Sequence, residues 1–166
     1  MSSPKSCIRS PLLTFFISLA GCGFQLVGFE SGDLKSVHLV GLNAAPLTAR
    51  IFRQALEERG TTIVPFEEEV ISVHLHDERS FLRSFATTNV QSTAEYELRL
   101  ELDFSILKGE NILLEDATLI SHRYHDVDPN NLSASQEEQD LLLFEMRVNL
   151  AEQLIRRIHF FSRQTP

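Results

Sequence analysis

Cysteine is nearly missing from this chain: Cys7 and Cys22 are the only two among 166 residues. Cations are also scarce, with 15 Lys and Arg against 23 Asp and Glu and a net charge of −8. That balance argues against phosphate-led nucleic-acid binding. The opening apolar run, Leu12 to Leu19, falls well short of the roughly 20 residues a bilayer span needs. There is no Ser-centred nucleophile elbow, no Gly-rich phosphate loop and no CxxC pair, so several large enzyme classes lack support. Internal repeats and low-complexity tracts are absent as well.

What is present begins with Leu19-Ala20-Gly21-Cys22. Lys5 and Arg9 form a positively charged opening, the short apolar run follows, and small residues mark a cleavage site. Together these read as a secretory signal. A Cys directly after Leu-Ala-Gly resembles the bacterial lipoprotein signal, in which the thiol takes a diacylglycerol and the new N-terminus is acylated; the bland alternative is an ordinary signal with a chance Cys. The expectation is a signal peptide over 1–21, a lipid-attached tether over 22–36 and one domain over 37–166. Cleavage leaves 145 residues, enough for a real core. It also lowers the cations to 13 against 23 acids and the net charge to −10. An anionic membrane would not hold such a chain by overall charge, whereas two or more acyl chains would, at about 0.8 kcal/mol per buried CH₂. Cys7 leaves with the signal, so no internal disulfide can form and the core must carry stability. Gly23 stands where Asp favours inner-membrane retention in enteric-type sorting, so the outer membrane, facing the periplasm, is expected.

Val37 to Val40 reads as a short strand, and Pro46 to Arg59 as a helix with Leu47, Ile51, Phe52, Ala55 and Leu56 on one stripe. Thr61 to Phe66 begins the next strand. Glu67 to Glu69 interrupt it, and alternation resumes from Val70. Tyr96, Leu98, Leu100, Leu102, Phe104 and Ile106 then alternate with polar neighbours from Glu95 to Ser105, the pattern of a strand with one face on a core. A hairpin at Lys108-Gly109-Glu110-Asn111 leads to a returning strand over Ile112 to Tyr124. Ser135 and Glu138 have capping-box spacing before a helix over Gln136 to Phe160. That helix carries Leu143, Met146, Leu150, Leu154 and Ile158, widened by Phe144, Val148, Ala151 and Ile155, with Arg156 and Arg157 placed to suit its dipole. The fold class is α+β in the order β-α-β-β-β-α, with two helices on one face of a four-stranded, mostly antiparallel sheet.

Candidate chemistry is thin. His74 and His76 share one side of a strand, but a zinc site needs three or four convergent ligands. His122 and His125, beside Asp126 and Asp128, point to opposite faces of a continuing strand. Glu95, Glu97, Glu101 and Asp103 form an acidic row that reads as solvated surface. No catalytic residue, metal or cofactor emerges, and the chain reads as a non-enzyme.

A family resemblance rests on Cys22-Gly23-Phe24-Gln25-Leu26, Pro46-Leu47, Thr93-Ala94-Glu95-Tyr96, Arg123-Tyr124, Glu137-Glu138-Gln139-Asp140, Glu145-Met146-Arg147 and Ala151 to Arg157. In this order they resemble LptE, the outer-membrane lipoprotein family of lipopolysaccharide assembly. The resemblance implies a plug held inside an LptD-like β-barrel, aiding barrel folding and lipopolysaccharide delivery to the outer leaflet. It also implies basic residues for lipopolysaccharide phosphates, yet Thr87 to Gln91 and Asn130 to Ser135 contain none. Arg79, Arg83 and Lys108 are the nearest candidates. Two other readings stand beside this one: a lipoprotein binding a small ligand or cell-wall component without a barrel, and a metal-dependent hydrolase using His74, His76 or His122.

Overall fold

The computed structural model describes residues 34–87, 94–128 and 130–164. Cys22 and the signal lie outside the described residues, as do 88–93 at the tip between the long strands. The first strand, β1, spans Ser36–Val40 and starts one residue before the expected segment. Its burial alternates, with Val37 and Leu39 inward, and Leu34 ahead of it already joins the core. Helix α1 spans Pro46–Glu58, with Pro in its first turn, where a missing N–H costs nothing. Gly41 turns the chain between them at φ +76°, and a Cβ there would sit 2.0 Å from the Leu75 carbonyl oxygen. Only glycine meets both demands.

The expected four-stranded sheet is corrected to five strands of mixed direction. A two-residue strand, β2 (Thr62–Ile63), closes on the far side of β1 and runs parallel to it. The strand expected to start at Thr61 is thus two separate elements. The longer one, β3 (Ile71–Thr87), pairs parallel with β1 through Ile71 to His74 and antiparallel with β4 (Ala94–Lys108). The last strand, β5 (Asn111–Val127), returns beside β4 after a two-residue loop in which Gly109 takes φ +57°. The order across the sheet is β2-β1-β3-β4-β5.

Helix α2 spans Leu132–Gln164, longer at both ends than its periodicity suggests. The expected capping box is replaced. Asn131 Oδ1 accepts from the Ala134 N–H at 3.4 Å, while Ser135, buried inside the first turns, accepts from the Asp128 N–H at 3.0 Å. Both helices pack on the inward face of the sheet, and one cluster holds Phe52 and Leu56 of α1, the inward Leu98, Leu100, Leu102, Phe104 and Ile106 of β4, and Met146, Leu150, Leu154 and Ile158 of α2. At about 25 cal/mol per Å², burying such side chains is the main stabilising term. Among the described residues no helix is long and apolar enough to cross a membrane.

Three residues expected on the inward stripes are exposed. Leu47 is exposed on α1, and Phe144 and Val148 are exposed on α2. Ala151 and Ile155 share the stripe of Phe144 and Val148, yet they are buried where α1 runs alongside. α1 begins at the level of Arg147, so above it the same stripe continues with nothing against it among the described residues.

Candidate functional site

A β-bulge between Leu75 and Asp77 reverses which residues of β3 face the helices. Below it Ile71, Val73 and Leu75 point into the core. Above it Glu78, Ser80, Leu82 and Ser84 take that side, opposite Leu102, Leu100, Leu98 and Tyr96. Glu78 is the first residue above the bulge to face inward. Its carboxylate accepts from Thr48 Oγ1 at the start of α1 and from Arg147 Nε at 2.9 Å on α2. Both charged side chains of that pair are largely shielded, at 12% and 16% exposure. One largely shielded ion pair therefore ties both helices to the sheet at the level where α1 begins. Sequence reasoning missed this node; a lone Glu inside an alternating strand was its one available signal.

The open face of the sheet holds the acidic row, and the structure explains how that row is tolerated. Arg79 of β3 donates to Asp103 at 2.6 Å and Asp77 at 2.9 Å, and reaches Glu101 at 3.3 Å. Arg99 adds a contact to Glu101 at 2.6 Å. These hydrogen bonds raise the Arg79 pKa, and Arg79, followed by the Thr118 hydroxyl, lowers that of Asp103. Between the charges stand Phe81, Ile120 and Tyr124, all exposed. Phe81, Arg83, Glu97 and Arg99 border a shallow recess open to solvent.

The three cations considered for phosphate contact do not converge. Arg79 and Arg83 share one face of β3, but Arg79 is committed to carboxylates. Arg83 is exposed, and among the described residues it forms no ion pair. Lys108, opposite Ile71, sits 3.6 Å from Glu69 at the other end of the sheet. It lies about 37 Å from Arg83 by strand rise.

The histidines also separate. His74 and His76 do share the open face, where His76 Nε2 lies 2.8 Å from Ser105 Oγ. Burial first, then the charges of His76 and His38, lowers the His74 pKa. His122 is exposed on the open face, whereas His125 is buried on the helix side, 3.6 Å from Glu138. Among the described residues no group of three or more His, Cys, Asp or Glu is placed to hold a metal ion.

The family profile of LptE, described as lipopolysaccharide-assembly, matches residues 34–158. The chain belongs to the LptE family. Its members are assembly lipoproteins and not enzymes. Among solved structures, rare lipoprotein B from Shewanella oneidensis superposes with a TM-score of 0.68 at 22% identity, covering 78% of this chain and 97% of that one. Lipoprotein B from Nitrosomonas europaea gives 0.61 at 16% identity, with 78% and 85% covered. A minor lipoprotein from Acinetobacter baumannii gives 0.60 at 17%, with 75% and 90% covered. At these identities the structures establish the shared fold. Comparison with curated proteins returns no significant match. The LptE fold in this chain thus presents two exposed faces above a locked lower core.

Proposed function

We propose that this chain is a lipid-anchored plug and assembly partner of an LptD-like outer-membrane β-barrel. In this reading residues 1–21 are removed, Cys22 is acylated, and the domain sits in the barrel lumen on the periplasmic side. There it serves lipopolysaccharide delivery to the outer leaflet.

The observation that carries the reading is apolar exposure on both layers. Phe81, Ile120 and Tyr124 on the open sheet face, and Leu82, Leu141 and Phe144 on the helix side, are between 43% and 58% exposed. Exposed apolar surface of this kind marks an interaction site. A flat partner would cover one layer and leave the other wet, whereas a surrounding wall covers both. The paired charges on the sheet face suit a polar lumen, because each carboxylate brings its own cation to the interface. Arg83, uncommitted among the described residues, is the best placed of the three cations for a lipopolysaccharide phosphate.

Affinity capture from detergent-solubilised envelopes, with the large companion identified, tests this. Phe81→Asp and Phe144→Asp should each lose the barrel while leaving the melting temperature unchanged. If only one of them does, a one-sided partner replaces the enclosed plug. Arg83→Gln should weaken lipopolysaccharide binding without affecting capture.

A further inference from the structure

Charge is not spread evenly along α2. Residues 132–152 carry Glu137, Glu138, Asp140, Glu145 and Glu152 against Arg147 alone, whereas residues 153–164 carry Arg156, Arg157 and Arg163 and no acid. The helix dipole accounts for Arg163 in the final turn, since that effect fades within one turn. It does not account for Arg156 and Arg157, which lie about two turns from the end. The arginines at the level of α1 are used: Arg147 holds Glu78 and Arg59 holds Glu152. Arg156 and Arg157, by contrast, are exposed and without an ion pair among the described residues. Phe160, one turn further on, is 55% exposed and stands edge-on to Phe161. Gln153, Arg156, Arg157 and Phe160 border one shallow hollow.

The position of this patch gives it meaning. Ser162 in the last turn of α2 lies beside Leu34 and Lys35, where the described chain begins. The patch and the exit of the N-terminal tether therefore share one end of a domain about 50 Å long by strand rise. Leu34 lies twelve residue steps from Cys22, a reach of about 40 Å at most. On the anchored reading proposed above, this is the end held nearest the bilayer. The acids at the same end lie off α2: Glu57 and Glu58 close α1, Glu67, Glu68, Glu69 and Glu110 lie on turns of the sheet, and Glu115 and Asp116 sit near the start of β5.

We infer that the Arg156-Arg157-Phe160 face of α2 docks on anionic phospholipid headgroups of the membrane to which the tether leads. The guanidiniums meet phosphates and the ring enters the interface, so an acidic domain is oriented by a local cationic surface. The lipid supplies attachment and this face supplies orientation.

The test uses the mature chain carrying Cys22→Ser, so that binding does not depend on acylation. Vesicles of phosphatidylcholine, with or without phosphatidylglycerol, are floated with the protein at low and high salt. Binding should require phosphatidylglycerol and fall with salt. The double variant Arg156→Gln, Arg157→Gln should bind about 10- to 30-fold more weakly with an unchanged melting temperature, and Phe160→Ser several-fold more weakly. Arg50→Gln with Arg53→Gln on α1 should bind as the parent does. Equal binding to neutral vesicles, an unaffected double variant, or binding only when lipopolysaccharide replaces phosphatidylglycerol would overturn the assignment. Mass spectrometry of Cys22 in the unsubstituted protein judges the anchor separately, so loss of one reading leaves the other measurable.

Discussion

The two halves of β3 belong to one strand and live in different environments. From Ile71 to Leu75 it lies between β1 and β4 with helices above it, and its inward side chains are almost fully buried. From Ser80 to Ser84 it has β4 on one side, no partner strand on the other within the described sheet, and exposed side chains on the helix side. The change happens within a few residues: β1 ends, Gly41 crosses over the Leu75 carbonyl, and the bulge follows. The lower half holds the fold together, and the upper half, free of that duty, offers surface to a partner.

The strongest way to break this contrast is to strike the shared floor. Leu100→Asp places an unpaired carboxylate where exposure is 0%, and should cost several kcal/mol, roughly enough to unfold the domain by circular dichroism. A sharper comparison pairs two leucines on the same strand. Leu75→Ala should lose about 2–5 kcal/mol in urea melts, whereas Leu82→Ala should stay within about 0.5 kcal/mol. Equal losses would mean that the upper half is covered in solution. At the boundary, Glu78→Gln leaves Arg147 without its counter-charge and should cost about 1–3 kcal/mol, with Arg147→Met in the same background recovering part of it. The least effect comes from His74. Its folded pKa lies below 6.5, so just under that pH the unfolded chain binds more protons. Stability present above about pH 6.5 is therefore lost as pH falls towards the folded value, and then levels off. His74→Gln should flatten that part of the urea-midpoint profile.

The residues differ in how legible they are. β4 reads directly, because twelve alternating side chains need no distant information to declare a face: Leu98, Leu100, Leu102, Phe104 and Ile106 are buried as expected, and Tyr96 at its upper end is half-buried. The expectation that His122 and His125 diverge holds for the same local reason. β2 reads in sequence as the start of a longer strand, since two residues carry no period and their pairing with β1 depends on a return through α1. The committed state of Arg79 was hidden too: Asp103 and Glu101 lie 24 and 22 residues away, and cross-strand register alone brings them together.

The order of elements, the inward face of β4, the turn at Gly109 and the amphipathic helices were settled by the chain itself, because each follows from residues within a few positions of one another. Where α1 begins relative to α2, how the bulge turns β3 over, and so which of two chemically equal stripes is core and which is open, were settled only by tertiary packing. Burial is a property of what lies opposite, and no short stretch of sequence contains its own neighbour.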